Sequence, residues 1–138
     1  MATFVKFNNF IGHLALGEVN LNTDTFKVYL TNATPNVETS EKKSELAGIT
    51  EQNGYAATDI QNEATETTGT VTMTAVDVVF TPSGGTFGPF RYAVIYDDTH
   101  ADDILMGYVD FGSNITATIT PVVTPITIDF GASLATYS

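Results

Sequence analysis

The apolar positions change their period several times along the chain, and each change marks an element. Phe7, Phe10, Ile11, Leu14 and Ala15 recur at spacings of three and four, so a helix is predicted over residues 7–16 with Gly17 as its stop. Residues 20–24 are polar and turn-like. Over residues 25–31 the period falls to two, with Phe26, Val28 and Leu30 alternating against Lys27, Tyr29 and Thr31, the pattern of a half-buried strand. Residues 32–54 contain Pro35 and a charged cluster and read as an exposed excursion. Within it a short helix is expected from Glu41 to Ala47, ended by Gly48, and Asn53-Gly54 closes the excursion.

Residues 58–69 lack large apolar side chains and read as a loop or a water-facing edge strand. From 70 to 80, Val71, Met73 and Ala75 share one parity and Val78 and Phe80 the other, which a bulge near Ala75-Val76 would reconcile. Residues 90–96 and 104–111 are apolar on both parities, as expected of central strands covered on both faces, with an acidic connection between them. Residues 115–120 and 126–130 alternate cleanly around Pro121 and Pro125. The sum is a mainly β fold in a single domain over 1–138. The expected form is an antiparallel β-sandwich, of which a jelly roll is one variety, with a short N-terminal helix. Its core should include Phe26, Val28, Leu30, Val78, Phe80, Val94, Ile95, Val109, Phe111, Ile126, Ile128 and Phe130.

Composition sharpens this picture. With 138 residues and 43% apolar content the chain can fill one core, and its 23 threonines favour strands. The net charge of −11 is uneven: residues 1–43 balance four basic against four acidic groups, whereas beyond them Arg91 alone faces twelve carboxylates. Such a surface repels phosphate, so neither nucleic acid nor an anionic membrane is an expected partner. No apolar stretch approaches the ~20 residues that span a bilayer. Residues 7–16 are interrupted by polar positions and lack a small-residue cleavage site, so no signal peptide is expected. The absence of cysteine excludes disulfides, thiolate catalysis and Cys-ligated zinc.

Candidate chemistry is sparse. Serine nucleophiles need a base, and the histidines are His13, read as lying at the rim of the helical stripe, and His100, read as solvated. Asp97, Asp98, Asp102 and Asp103, with Asp110 further on, could converge on a hard cation such as calcium, but the spacing fits no EF-hand and a solvated acidic turn is the favoured reading. Glu63 and Glu66 offer an acid pair of the kind any acidic protein has, and Gly84-Gly85 and Gly88 read as turn glycines. Arg91 is expected either exposed or paired with a nearby carboxylate. No enzyme activity and no cofactor are expected.

Several stretches resemble a widespread group of small virion-associated phage proteins. They are Lys6-Phe-Asn-Asn-Phe-Ile-Gly-His-Leu-Ala15, Asp24-Thr-Phe-Lys-Val-Tyr-Leu-Thr-Asn-Ala-Thr-Pro35, Ala47-Gly-Ile-Thr-Glu51 with Asn53-Gly-Tyr55, Gly88-Pro-Phe-Arg-Tyr-Ala-Val-Ile-Tyr-Asp-Asp-Thr99 and Gly107-Tyr-Val-Asp-Phe-Gly-Ser113. The chain departs from the group at Gly12-His13, where more polar or acidic helix formers are usual. The resemblance implies a structural role in the virion, after assembly in a bacterial cytoplasm, and offers no catalytic residues to carry over. The favoured position is a capsid decoration, or cement, protein on the head shell. Its partners would be the major capsid protein or other virion proteins, and itself as a homotrimer. Phe4, Phe7, Phe10 and Ile11 are the expected contact residues. A tail or head-to-tail adaptor component and a host-receptor-binding module are the alternatives.

Overall fold

A computed structural model describes residues 4–138. In chain order its elements are β1 (Phe4–Lys6), α1 (Phe10–Ala15), β2 (Phe26–Thr31), β3 (Thr58–Asp59), β4 (Glu63–Thr67), β5 (Thr70–Thr74), β6 (Val78–Phe80), β7 (Phe87–Asp97), β8 (Ile104–Ala117), β9 (Ile126–Ile128) and β10 (Ala135–Tyr137). The fold is mainly β and antiparallel, with a single short helix near the N-terminus. A five-stranded sheet runs β1-β8-β7-β2-β3, a three-stranded sheet β10-β5-β4, and β6 pairs with β9. One continuous cluster of buried side chains joins all three.

The two segments that are apolar on both parities form the long hairpin β7–β8 at the middle of the large sheet, in register Ala93↔Val109 and Ile95↔Gly107. Strand β8 is longer than its pattern suggested. At Gly112, with φ 88°, it bulges, and the pairing slips from Tyr92↔Asp110 to Phe90↔Ile115. The alternating run from 115, read as a separate strand, therefore continues β8 and stops at Ala117. Arg91 grips Asp110 at the bulge through two contacts, at 2.9 and 3.2 Å.

Four other expectations are corrected. The parity change at Ala75-Val76 is a change of sheet and not a bulge: Val76 N–H donates to the Ile60 carbonyl between β5, which pairs with β4 and β10, and β6, which pairs with β9. Strand β2 is buried on both faces, because residues 32–54 fold over its outward parity instead of projecting into water. Tyr29 Oη donates to the Leu46 carbonyl at 2.7 Å, Thr31 Oγ1 to the Ala47 carbonyl at 2.6 Å, and Tyr55 Oη accepts the Leu30 N–H at 2.8 Å. The polar tips of these side chains satisfy backbone groups that would otherwise be buried unpaired. The helix expected at 41–47 shrinks to one 3-10 turn, Lys43–Glu45, held by the Glu45 carboxylate accepting the N–H groups of Glu41 and Lys42. The N-terminal helix is likewise shorter than 7–16, since Asn9 makes no side-chain cap and Phe4–Lys6 joins the sheet beside β8.

Of the core residues named above, all are buried except Phe111, which is half-buried against Phe90. Packing leaves no room at Gly107, where a Cβ would overlap the Phe4 ring and the Val5 carbonyl oxygen. Gly12, on the exposed face of α1, has nothing within 4 Å. Gly107→Ala is therefore expected to cost about 1–3 kcal/mol through overpacking, and Gly12→Ala to stabilise by about 0.5–1 kcal/mol through helix propensity. Urea unfolding of the two variants checks both signs; a neutral Gly107→Ala would contradict the close approach of β1 to β8.

Candidate functional site

A capping motif builds one half of the most chemically distinctive group of side chains. Gly17, at φ 77°, reverses the chain after α1, with its N–H donating to the Leu14 carbonyl at 3.3 Å and the Glu18 N–H to the His13 carbonyl at 2.9 Å. This is a Schellman ending, in which the residue after the left-handed glycine returns to the last turn. Glu18 is thereby turned back onto His13, its Oε1 2.9 Å from Nδ1. From the other side Glu41 Oε1 lies 2.6 Å from His13 Nε2. The Glu41 carbonyl accepts the Leu105 N–H at 2.9 Å, which fastens this loop to β8.

The other half comes from the β7–β8 connection. Asp97 Oδ1 accepts the N–H groups of Thr99 and His100 at 2.9 and 3.3 Å, and the Asp103 N–H donates to the His100 carbonyl at 3.0 Å with Asp103 itself at φ 50°. The tight turn delivers the His100 ring to His13, with centroids 6.0 Å apart and planes 74° apart, and His100 Nε2 3.5 Å from Glu18 Oε1. His13, 15% exposed, keeps its place at the rim of the helical stripe, whereas His100, at 18%, is largely covered and not the solvated residue expected. Burial alone would lower the pKa of His13, but hydrogen bonds and charge from Glu18 and Glu41 outweigh it and raise the value. The same contact with His13 lowers that of Glu18.

The four aspartates singled out in the sequence share a turn but not a cation site. Asp98 pairs with Lys27 at 3.2 Å and Asp102 with Lys42 at 3.6 Å, each on its own side of the turn. Burial, then the charge of Asp98, raises the pKa of Asp103. Asp97 is fully buried, and its Oδ2 has no partner unless one of the facing pair Asp97 and Asp24 carries a proton. Asp110 belongs to Arg91, whose hydrogen bond lowers its pKa. Among the described residues, the one group of three potential ligands with converging donor atoms is His13, Glu18 and His100.

The expected contact residues are corrected as well. Phe7 and Phe10 are core residues at 2% and 1% exposure, Phe10 lying against Phe26 and Tyr137, and Phe4 is half-buried over Gly107. The helix is only six residues long, so its aromatic stripe is consumed by the protein's own core. Ile11 alone of the four stands out, at 53%, together with Leu16 at 77%. Ile11 lines an open groove with Lys6, Phe7, Asn8 and Tyr137, and a separate one of about 340 Å³ is lined by Leu14, Val19, Leu21, Ala64 and Val71 among others. A second exposed apolar group, Ile119, Val122 and Val123, occupies the β8–β9 connection, which Thr124 N–H closes by donating to the Thr118 carbonyl at 2.9 Å.

No protein-family model, no curated protein sequence and no solved structure matches the chain.

Asp97 makes stability depend on pH. Burial, then the hydrogen bond and charge of Asp24, push its pKa from an ordinary 3.8 up to about 7. The folded state thus holds a proton that the unfolded state releases, and stability is lost as pH rises from about 4 to about 7. In Asp97→Asn the side-chain oxygen still accepts the Thr99 and His100 N–H groups, while the amide donates to Asp24. The variant should be more stable than the parent at pH 8 by about 1–3 kcal/mol, with the difference shrinking towards pH 4. Thermal unfolding across that range measures it, and a parent that is the more stable at pH 8 would refute the assignment.

Proposed function

We propose that the chain is a non-catalytic structural subunit of a bacteriophage particle, a decoration or cement protein that binds the major capsid protein on the outside of the head. The motifs set out above support the phage assignment. The observation that most favours a bridging role is the position of the two exposed apolar groups. The helix α1 sits beside the start of β8, where Phe7 N–H donates to the Met106 carbonyl at 3.0 Å. The Val122-Val123 group follows the end of the same strand at Ala117. Measured along the partner strand β7, which lacks the extra residues of the β8 bulge, eight residues from Ile95 to Phe87 separate the two ends, roughly 26 Å at the rise of a β-strand.

Two small apolar contact points at opposite ends of a stiff hairpin suit a subunit that ties neighbouring capsid proteins together. Each point is too small to hold a partner alone, so binding would be strong only on a repeated surface that engages both. The carboxylates that dominate the chain after residue 44 keep free subunits apart before assembly. Association into a homotrimer would multiply the contacts further. The contact residues in this reading are Ile11 and Leu16 at one end and Val122 and Val123 at the other, in place of the phenylalanines.

Ile11→Asp combined with Leu16→Asp changes two exposed positions and should leave the folded state intact. Each side chain buried in an interface contributes about 1.5–3 kcal/mol, so incorporation into particles should fall at least about tenfold. Electron microscopy of virions is expected to show hundreds of copies over the head shell. Six or twelve copies at the neck would point to the adaptor reading, copies at the tail tips to receptor binding, and either would overturn this one.

A further inference from the structure

We propose that His13, Glu18 and His100 form a binding site for a divalent transition metal ion of the zinc type, with Glu41 as the outer partner of His13. Such a site does not depend on any place in a virion. The chain has two histidines, 87 positions apart, and the fold brings both to one carboxylate. One donor atom from each of the three side chains lies within 4.8 Å of the other two.

The spacing around Glu18 Oε1 fits a tetrahedral ion. Ligand bonds of about 2.0–2.1 Å place neighbouring donors ~3.3 Å apart on the tetrahedron's edge. Glu18 Oε1 stands 2.9 Å from His13 Nδ1 and 3.5 Å from His100 Nε2, so two of the three edges are already close to that length. The third edge, between the histidines, closes with a small movement of two rings whose backbones the Schellman turn and the Asp97 turn hold.

The outer contacts set the nitrogens. Glu41 Oε1, 2.6 Å from His13 Nε2, holds a proton on that nitrogen, while Nδ1 shares its own proton with Glu18 at 2.9 Å and releases it to solvent when the ion takes its place, which gives the carboxylate–histidine–metal arrangement that raises ligand basicity. His100 differs, because its Nδ1 accepts the Asp102 N–H at 3.0 Å and its Nε2 therefore carries the proton when the ring is neutral. Binding through Nε2 moves that proton to Nδ1 and gives up the Asp102 contact, so the 100–102 turn is the part that adjusts on loading. The Glu18 side chain is 41% exposed, which leaves one side of the group open for entry of the ion and for a water as fourth ligand.

The donor set also selects the ion. Two imidazoles and a carboxylate suit zinc and its neighbours in the first transition series, whereas calcium and magnesium require oxygen throughout. A bound ion would join three segments distant in sequence, the end of α1, the loop at Glu41 through its hydrogen bond, and the β7–β8 turn. It would therefore raise the thermal stability of the whole domain.

The test uses the full chain, stripped with a chelator and titrated at pH 7.5 with zinc and, separately, with cobalt(II). The expected result is saturable uptake of one ion per chain, a rise in Tm, and visible cobalt absorption of tetrahedral intensity. Calcium and magnesium should leave Tm unchanged. His100→Gln, judged folded by an unchanged Tm in chelator, should lose the uptake and the cobalt band, and Glu41→Gln should weaken binding about 10–100-fold while keeping the band. Absence of one-to-one uptake by the parent, or undiminished binding in folded His100→Gln, would overturn the proposal.

Discussion

Backbone pairing between β7 and β8 is the constraint on which the remaining structure depends. These strands are apolar on both parities, and most of Phe90–Asp97 and of the first half of β8 is sealed from water. Every amide and carbonyl there must find a partner inside the protein or lose the full free energy of hydration. Residues 92–96 pair with β8 on one side and β2 on the other, and residues 107–109 of β8 also pair with β1. The faces are then covered by what is left: α1 and the β5 sheet, the 32–54 segment, and the β6–β9 ribbon. Tyr55 shows how tightly this closes, stacked on Phe87 and edge-on to Phe80 while its hydroxyl serves β2, and burial pushes its pKa up to about 12.

The sequence is most readable where a residue's period decides its burial. Phe26, Val28 and Leu30, the doubly apolar stretches, and Ile126 with Ile128 all lie where their alternation puts them. It is least readable where a polar tip decides. Tyr29 and Thr31 occupy the outward parity of β2 and look solvated, yet each donates one hydrogen bond to a loop carbonyl that covers it. A parity change has two physical meanings, a bulge or a departure to another sheet, and only the distant partners β9 and β10 distinguish them at Val76. Strands of three residues, such as β1 and β10, carry too few alternations to register at all.

The site divides in the same way. Its local half was within reach: Gly17 reads as a helix stop, and a Schellman ending at that glycine returns Glu18 towards His13. The arrival of His100 was not, because it depends on how far β7–β8 runs before it turns and on where α1 packs against β8. The acidic turn that drew attention in the sequence acts instead as a positioning device, with buried Asp97 organising the backbone that presents His100. For the contact surface, helix length decided the outcome. A ten-residue helix could bury one face and show another, whereas six residues spend Phe10 on the core and leave Ile11 and Leu16 outside.

Native-state hydrogen exchange tests the primacy of the hairpin most directly. Amides of residues 92–96 and 107–109 should exchange only through global unfolding, with a urea dependence equal to that of the whole molecule. Amides of the exposed strand β4 and of the short strand β10 should exchange through smaller openings, well below the global free energy. Central-hairpin amides that open while the three-stranded sheet remains protected would contradict the account.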